Sequence, residues 1–295
     1  MSRWKNLLVR LDRVLSLSER LLEERLGVSP GPDVFARHEA FRWDVAAGTG
    51  RLVPIPGLEP FDLEDLLGVE RPVGELLRNT QQFLRGFPAN HVLLYGERGT
   101  GKSSAVRGLV SRFAGQGLRI VEIRKEELLH LPRVLAAVRG LPYRVLLFCD
   151  DLSFGEGEVG YRELKAALEG SLEAPPENVR IVATSNRRHL MPERRSENQQ
   201  VRLDADGELH PGEALDEKLA LSDRFGLVLG FFGFDQPTYL RIVEHHAQRA
   251  GISVAPDRLH GEALRWALDH SSRSGRTARQ FVQDLAGRLA LEATA

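Results

Sequence analysis

Apolar positions along this chain follow two rhythms in turn, and that exchange sets the architecture before any motif is read. Continuous apolar runs of strand length fall at Val92 to Tyr95, Leu118 to Ile123, Arg144 to Asp150, Val179 to Thr184 and Gly226 to Phe231. Such runs suit a parallel sheet covered on both faces. Between them lie stretches with helical character: one from Lys102 to the glycines of FAGQG, one over Leu128 to Arg139 interrupted by Pro132, and one over Tyr161 to Glu169. Another helix follows the fifth run, where Asp235 can cap it. Strands alternating with helices predict a parallel α/β sheet.

The flanks read differently. Trp4, Leu8, Leu11, Leu15, Leu22 and Leu26 form the stripe of an amphipathic helix over residues 4–26, expected to dock on its own domain. SPGPD breaks it, and Phe41 to Asp44 and Arg51 to Ile55 flank AAGTG as a hairpin. Pro54, Pro56 and Pro60 favour an extended connection, then FDLEDLLGVERPVGELL reads as a loop with Leu67, Gly68 and Val69 just ahead of a helix. After Ala250 strand character is lost, and helices near Pro256 to His270 and Thr277 to Glu292 make a separate piece. The expected division is 1–60, 61–250 and 251–295. Arg187 to Glu213, with arginines at 187, 188, 194, 195 and 202 ahead of a cluster of acids, reads as an exposed insertion.

Composition narrows the class. The 295 residues are 42% apolar, enough for a substantial core, and the net charge of −1 gives no global reason to expect a nucleic-acid or membrane partner. The single cysteine, Cys149, sits in the apolar run VLLFCDD, which leaves no disulfide framework and no Cys-rich metal site. No segment offers about 18 uncharged apolar residues, so a soluble, cytoplasmic protein is expected.

One stretch dictates chemistry by itself. HVLLYGERGTGKSS satisfies GxxxxGK[ST] with Gly96, Gly101, Lys102 and Ser103, placed between a strand and a helix. Gly96, Gly99 and Gly101 let successive backbone N–H groups close around a phosphate, and the helix N-terminus adds partial positive charge. Lys102 then reaches the β and γ phosphates and the Ser103 hydroxyl ligates Mg²⁺. The third strand ends in Asp150 and Asp151, so both carboxylates emerge at the same sheet edge. Asp150 fits the metal-orienting acid and Asp151 the residue that polarises attacking water. Asn186, ending the fourth strand, can orient water, with a turn-forming Asn or Ser185 in its place as alternatives. Arg224 fits a neutralising arginine reaching a neighbouring subunit's site, or a surface partner of Asp223. Arg276 opens the last helix and can reach the phosphates, and Arg279 competes for that role.

This pattern resembles the AAA+ ATPases over about residues 61–290. More narrowly, GERGTGKSS, LLFCDDLSF, ATSNRRHL and LSDRFGL are similar to the bacterial family of predicted ATPases catalogued as domain of unknown function 815. The resemblance implies a P-loop NTPase fold: a doubly wound core with a helical lid. It implies Walker A over Gly96 to Ser104, with Glu97, Arg98, Gly99, Thr100 and Ser104 completing the ATP-binding loop. It further implies Walker B at Asp150 and Asp151, sensor one at Asn186, an arginine finger at Arg224 and sensor two at Arg276. Adenine is expected near Leu67 to Val69. Asp151 departs from the Glu usual in the class, and its shorter reach implies slow turnover. The loop RKEELLHLP lacks the aromatic and glycine of unfoldases. The expectation is an ATP- and Mg²⁺-dependent ATPase that switches assembly or partner binding, with ATP sites between subunits of a homo-oligomer. A nucleic-acid-binding ATP sensor and a protein remodeller are the alternatives, and no residue names a client.

Overall fold

The computed structural model describes residues 30–46, 49–154, 159–169, 176–188, 190, 202–203, 209–210 and 221–294, together with Arg13. The stripe expected over residues 4–26 therefore lies outside the described residues apart from Arg13, as does most of the Arg187 to Glu213 insertion. Within that insertion β7 (Arg202–Leu203) and β8 (Leu209–His210) pair antiparallel.

A short helix α1 (Pro32–Arg37) leads into the hairpin β1 (Ala40–Ala46) and β2 (Thr49–Pro54). The linker that follows contains a 3-10 turn (Leu63–Asp65) and ends at α2 (Glu70–Leu84). Then come β3 (Val92–Gly96), α3 (Lys102–Phe113), β4 (Leu118–Glu122), α4 (Leu131–Val138), β5 (Arg144–Cys149), α5 (Val159–Glu169), β6 (Val179–Ser185) and β9 (Leu227–Phe231). Three helices close the chain: α6 (Gln236–Arg249), α7 (Pro256–Asp269) and α8 (Gly275–Thr294). The main sheet runs β2-β1-β4-β5-β6-β3-β9, parallel throughout except for the hairpin partner β2.

Side-chain alternation divides the core into two layers. Leu93, Val145, Leu147, Cys149, Ile181 and Ala183 face α4 and α5, whereas Val92, Leu94, Leu146, Phe148, Val182 and Phe231 face α2 and α3. Burial on both faces explains why these strands read as unbroken apolar runs. The expected hairpin is present: Phe41, Trp43 and Leu52 join the α4 layer, and β1 prolongs the sheet beside β4. Arg119 fastens this end. Its guanidinium is buried, donates to the carbonyls of Phe35, Ala114 and Leu118, and lies 4.3 Å from the centre of the Tyr143 ring.

One expected boundary moves. Pro132 does not interrupt a helix: a 3-10 turn over Lys125–His130 precedes α4, and Pro132 sits in the first turn, where its missing N–H leaves no bond unmade. Tyr239, Ile242, Val243 and Ala247 of α6 share one apolar cluster with Leu259 and Ala263 of α7 and Phe281 and Leu285 of α8.

Candidate functional site

A cleft of about 530 Å³ opens at the carboxyl edge of the sheet, between the glycine loop, the linker and the three-helix unit. The loop leaves β3 at Gly96, whose φ of 131° and position beside β9 admit no side chain: a Cβ there would lie 1.9 Å from the Phe231 carbonyl oxygen. The Glu97 N–H donates to that same carbonyl at 3.1 Å, and the Thr100 hydroxyl donates to the Glu97 carbonyl at 2.8 Å. Glu97 thus serves through its backbone while its side chain faces solvent. Arg98, Gly99, Thr100, Gly101, Lys102, Ser103 and Ser104 all line the cleft.

Lys102 is 7% exposed. Its Nζ donates to the carbonyls of Gly96 (2.8 Å) and Glu97 (2.7 Å) and reaches Asn186 Oδ1 at 3.4 Å. Burial pushes the ammonium pKa down, Asp151 and Asp150 oppose that shift, and Arg276 and Arg98 add to it. The charge is held by carbonyl oxygens that a phosphate can replace.

Strand alternation places the acids. Asp150 continues the Leu146, Phe148 series, so it emerges on the α3 side, and the Ser103 hydroxyl at the start of α3 donates to its Oδ1 at 2.7 Å. Asp151 turns away from the strand with φ of 51°, and its Oδ1 accepts from Asn186 Nδ2 at 2.5 Å. Asn186 therefore touches both Lys102 and Asp151, whereas Ser185 is fully buried and donates to the Leu152 carbonyl. Geometry favours Asn186 over Ser185 at the site. One residue escaped the motif reading: Thr184 lines the cleft and bonds to both acids. The same alternation that carries Val182 to the α3 side carries Thr184 there, so the signal was present in the sequence.

The helical unit forms the opposite wall. The Arg276 N–H donates to the Gly99 carbonyl at 3.3 Å, and a Cβ on Gly99 would meet Ser274 and Arg276. Arg279 also lines the cleft but lies toward the linker, 3.7 Å from Glu59. Of the two arginines, Arg276 is the one seated on the phosphate loop. Leu67 lines the cleft with Phe61, Leu66, Phe234 and Ile242. Val69 does not: past the Gly68 turn (φ 80°) it is buried under the sheet with Val73 and Leu76.

Asp65 and His246, unforeseen in the sequence, line both this cleft and an adjoining cavity of about 610 Å³ bounded by Arg107, Arg112, Arg249 and the linker. Asp65 accepts from His245 Nε2 at 2.7 Å and from Arg249. Burial acts to raise its pKa, but those hydrogen bonds outweigh it and hold the carboxyl below its usual range. Burial, helped by His245, keeps the His246 pKa low.

Arg224 stands apart. Leu227 pairs with Val92 and Phe231 with Gly96, and Gly226 abuts Asn90, so Arg224 lies near the amino edge of the sheet. Four strand residues, roughly 13 Å, separate that level from the phosphate loop. It lines neither cavity.

The model of the family described as "Protein of unknown function (DUF815)" matches residues 36–289. The chain belongs to this family. Solved structures place the DUF815 fold among known ones. The Thermotoga maritima RuvB Holliday junction branch migration motor aligns with a TM-score of 0.53 at 16% identity, over 80% of this chain and 67% of that one. Two single-substitution forms of the same Thermotoga protein align equally well, at 16% identity and a TM-score of 0.53 over 80% of this chain, covering 67% of one and 68% of the other. No curated protein matches the chain. The fold is that of the nucleotide-binding AAA+ ATPases, a seven-stranded, mostly parallel sheet flanked by helices. No described helix is long and apolar enough to cross a membrane.

Proposed function

We propose that this DUF815 protein binds ATP with Mg²⁺ in the cleft, hydrolyses it slowly, and uses the bound state to switch assembly or partner binding. The observation that carries the reading is the convergence of Lys102, Asn186, Asp151, Asp150 and Ser103 on one cavity wall, joined by hydrogen bonds of 2.5 to 3.4 Å. The metal fits the donors: Ser103 and Asp150 offer two hard oxygens side by side. That is the supply expected for Mg²⁺ completed by phosphate and water. When bound, the ion would neutralise phosphate charge.

The chain's own groups divide the remaining work. Lys102 exchanges its carbonyl partners for phosphate oxygens. Asp151 accepts the proton of the attacking water, and Asn186 fixes the carboxylate that does so. An aspartate reaches about one methylene less far than glutamate, and catalysis by positioning tolerates errors of ~1 Å poorly, which supports slow turnover. Arg276 follows nucleotide occupancy from α8. Arg224 is too far from its own loop and acts on a neighbour's phosphate in a homo-oligomer. The working units are the core through β9 and the helical lid from Gln236.

Lys102→Ala is expected to abolish ATP binding by calorimetry while leaving the circular dichroism spectrum unchanged. Arg224→Ala is expected to keep binding and lose about 10³ in turnover. Mixing the two inactive variants should restore some activity, because an intact site can then face an intact arginine. Unchanged ATP affinity in Lys102→Ala would remove the central reading, and failure of the mixture to recover would remove only the role in trans.

A further inference from the structure

Three consecutive residues after β5 lean on a single residue of β6. The Thr184 hydroxyl donates to Asp150 Oδ1 at 2.5 Å and accepts the Asp151 N–H at 2.8 Å, while its carbonyl accepts the Leu152 N–H at 2.7 Å. Its direction of donation is fixed. An amide can only donate, so the one hydroxyl proton is left for the carboxylate. Asp150 Oδ1 then receives two hydroxyls, from Ser103 and Thr184, so both anchors act on one oxygen of the carboxylate. Asp151 is arranged the same way: Asn186 takes Oδ1, and the backbone is held at φ of 51°, a conformation uncommon for a residue other than glycine.

A buried parallel strand does not need a hydroxyl at this place. Thr184 is 1% exposed between β3 and β5, where Val182 and Ile181 show what the strand otherwise selects. Valine has nearly the same shape, and burying an unbonded hydroxyl is unfavourable. Here it is the two acids that satisfy the hydroxyl. We propose that Thr184 is the positioning residue of the reaction: it sets the Asp150 carboxylate toward the metal and the Asp151 backbone into the turn that aims its carboxylate at the attacking water. This rests on the ATP-hydrolysing reading above and deepens it.

The proposal separates shape from hydroxyl. Thr184→Ser keeps the bonds and loses a methyl, whereas Thr184→Val keeps the shape and leaves the Asp151 N–H unpaired and Asp150 one donor short. In Thr184→Val, turnover is expected to fall, and the Mg²⁺ concentration for half-saturation to rise, by about 10- to 100-fold, the range for partners that orient metal ligands. ATP affinity measured by calorimetry in EDTA should stay within about twofold, since the loop and Lys102 are untouched. Thr184→Ser should retain wild-type turnover and Mg²⁺ response within a few-fold. A valine variant that folds and matches wild type in both, or a serine variant as impaired as valine, overturns the assignment. If the valine variant does not fold, the serine variant alone decides it, because a role in packing predicts damage from the lost methyl. A wild-type protein that binds no ATP with Mg²⁺ overturns the functional reading and this assignment with it, whereas an active wild type with a normal valine variant overturns this assignment alone.

Discussion

The phosphate-loop wall of the cleft and the linker that faces it differ in what fixes their side chains. On the loop wall, Lys102 and Thr184 are almost fully buried, and their partners are carbonyls and carboxylates supplied by neighbouring strands. On the linker and at the start of α2, Glu59, Asp62, Asp65 and Glu70 each face a basic side chain of the helical lid: Arg279, Arg249, His245 with Arg249, and Arg241. Most of those lid groups are half-exposed, with Arg249 at 50% and Arg241 at 58%. Buried contacts resist screening and relax little, whereas exposed pairs are worth ~1 kcal/mol or less each and weaken with salt. The same cleft thus has one wall that holds its shape and one that can release.

The largest effect should come from the rigid wall. Gly96→Ala forces a Cβ into the Phe231 carbonyl at a φ that only glycine adopts freely, so a loss of about 4 kcal/mol or more is expected in denaturant unfolding. A loss below about 1 kcal/mol would show that the seam between β3 and β9 yields after all.

Acid should come next, through a buried histidine of the core. His91 Nδ1 accepts the Ile181 N–H at 2.9 Å, which requires a neutral ring nitrogen, and burial followed by the nearby Arg180 lowers its pKa to about 4. A histidine ordinarily titrates at 6.5, so its contribution is complete above that pH. It is lost as pH falls toward 4, amounting to about 3 kcal/mol. Asp65, depressed below the ordinary 3.8, keeps its lid contacts until still lower pH. Wild type should therefore lose stability between about pH 6.5 and 4.5 in chemical denaturation, and His91→Gln should lose much less over that interval. Equal losses would assign the acid sensitivity elsewhere.

The smallest effect belongs to the linker. Asp65→Asn should raise amide exchange in α6 to α8 by roughly fivefold, equivalent to ~1 kcal/mol, with the strands of the main sheet unaffected. Protection lost equally in β3 and β5 would mean that lid and core unfold as one unit.

Legibility in the sequence followed the range of the interaction. The clustering of the loop, the two acids and Asn186 was readable because the glycine-loop spacing and the strand ends fix the sheet edge at which those side chains emerge. Thr184 was readable in principle from alternation, yet a threonine in an apolar strand carries no motif. The role of α6 was not readable, since the stripe of Tyr239, Ile242 and Val243 announces a helix without saying which surface it covers. The pairing of linker acids with lid cations joins residues as far apart in the chain as Glu59 and Arg279, beyond any local pattern. Val69 was misplaced because the Gly68 turn exchanges the faces on either side of it.

Cys149 gives the molecule a clock of its own. The thiol is completely buried at the end of β5, immediately before Asp150, and burial followed by that carboxylate pushes its pKa up to about 12. In the folded state it is both inaccessible and almost wholly protonated, so alkylating reagents meet it only when the strand carrying the acids comes away from the sheet. As the sole cysteine of the chain, its rate of modification reports the opening of that one strand. Comparing that rate with and without nucleotide times how firmly the ligand holds the strand shut.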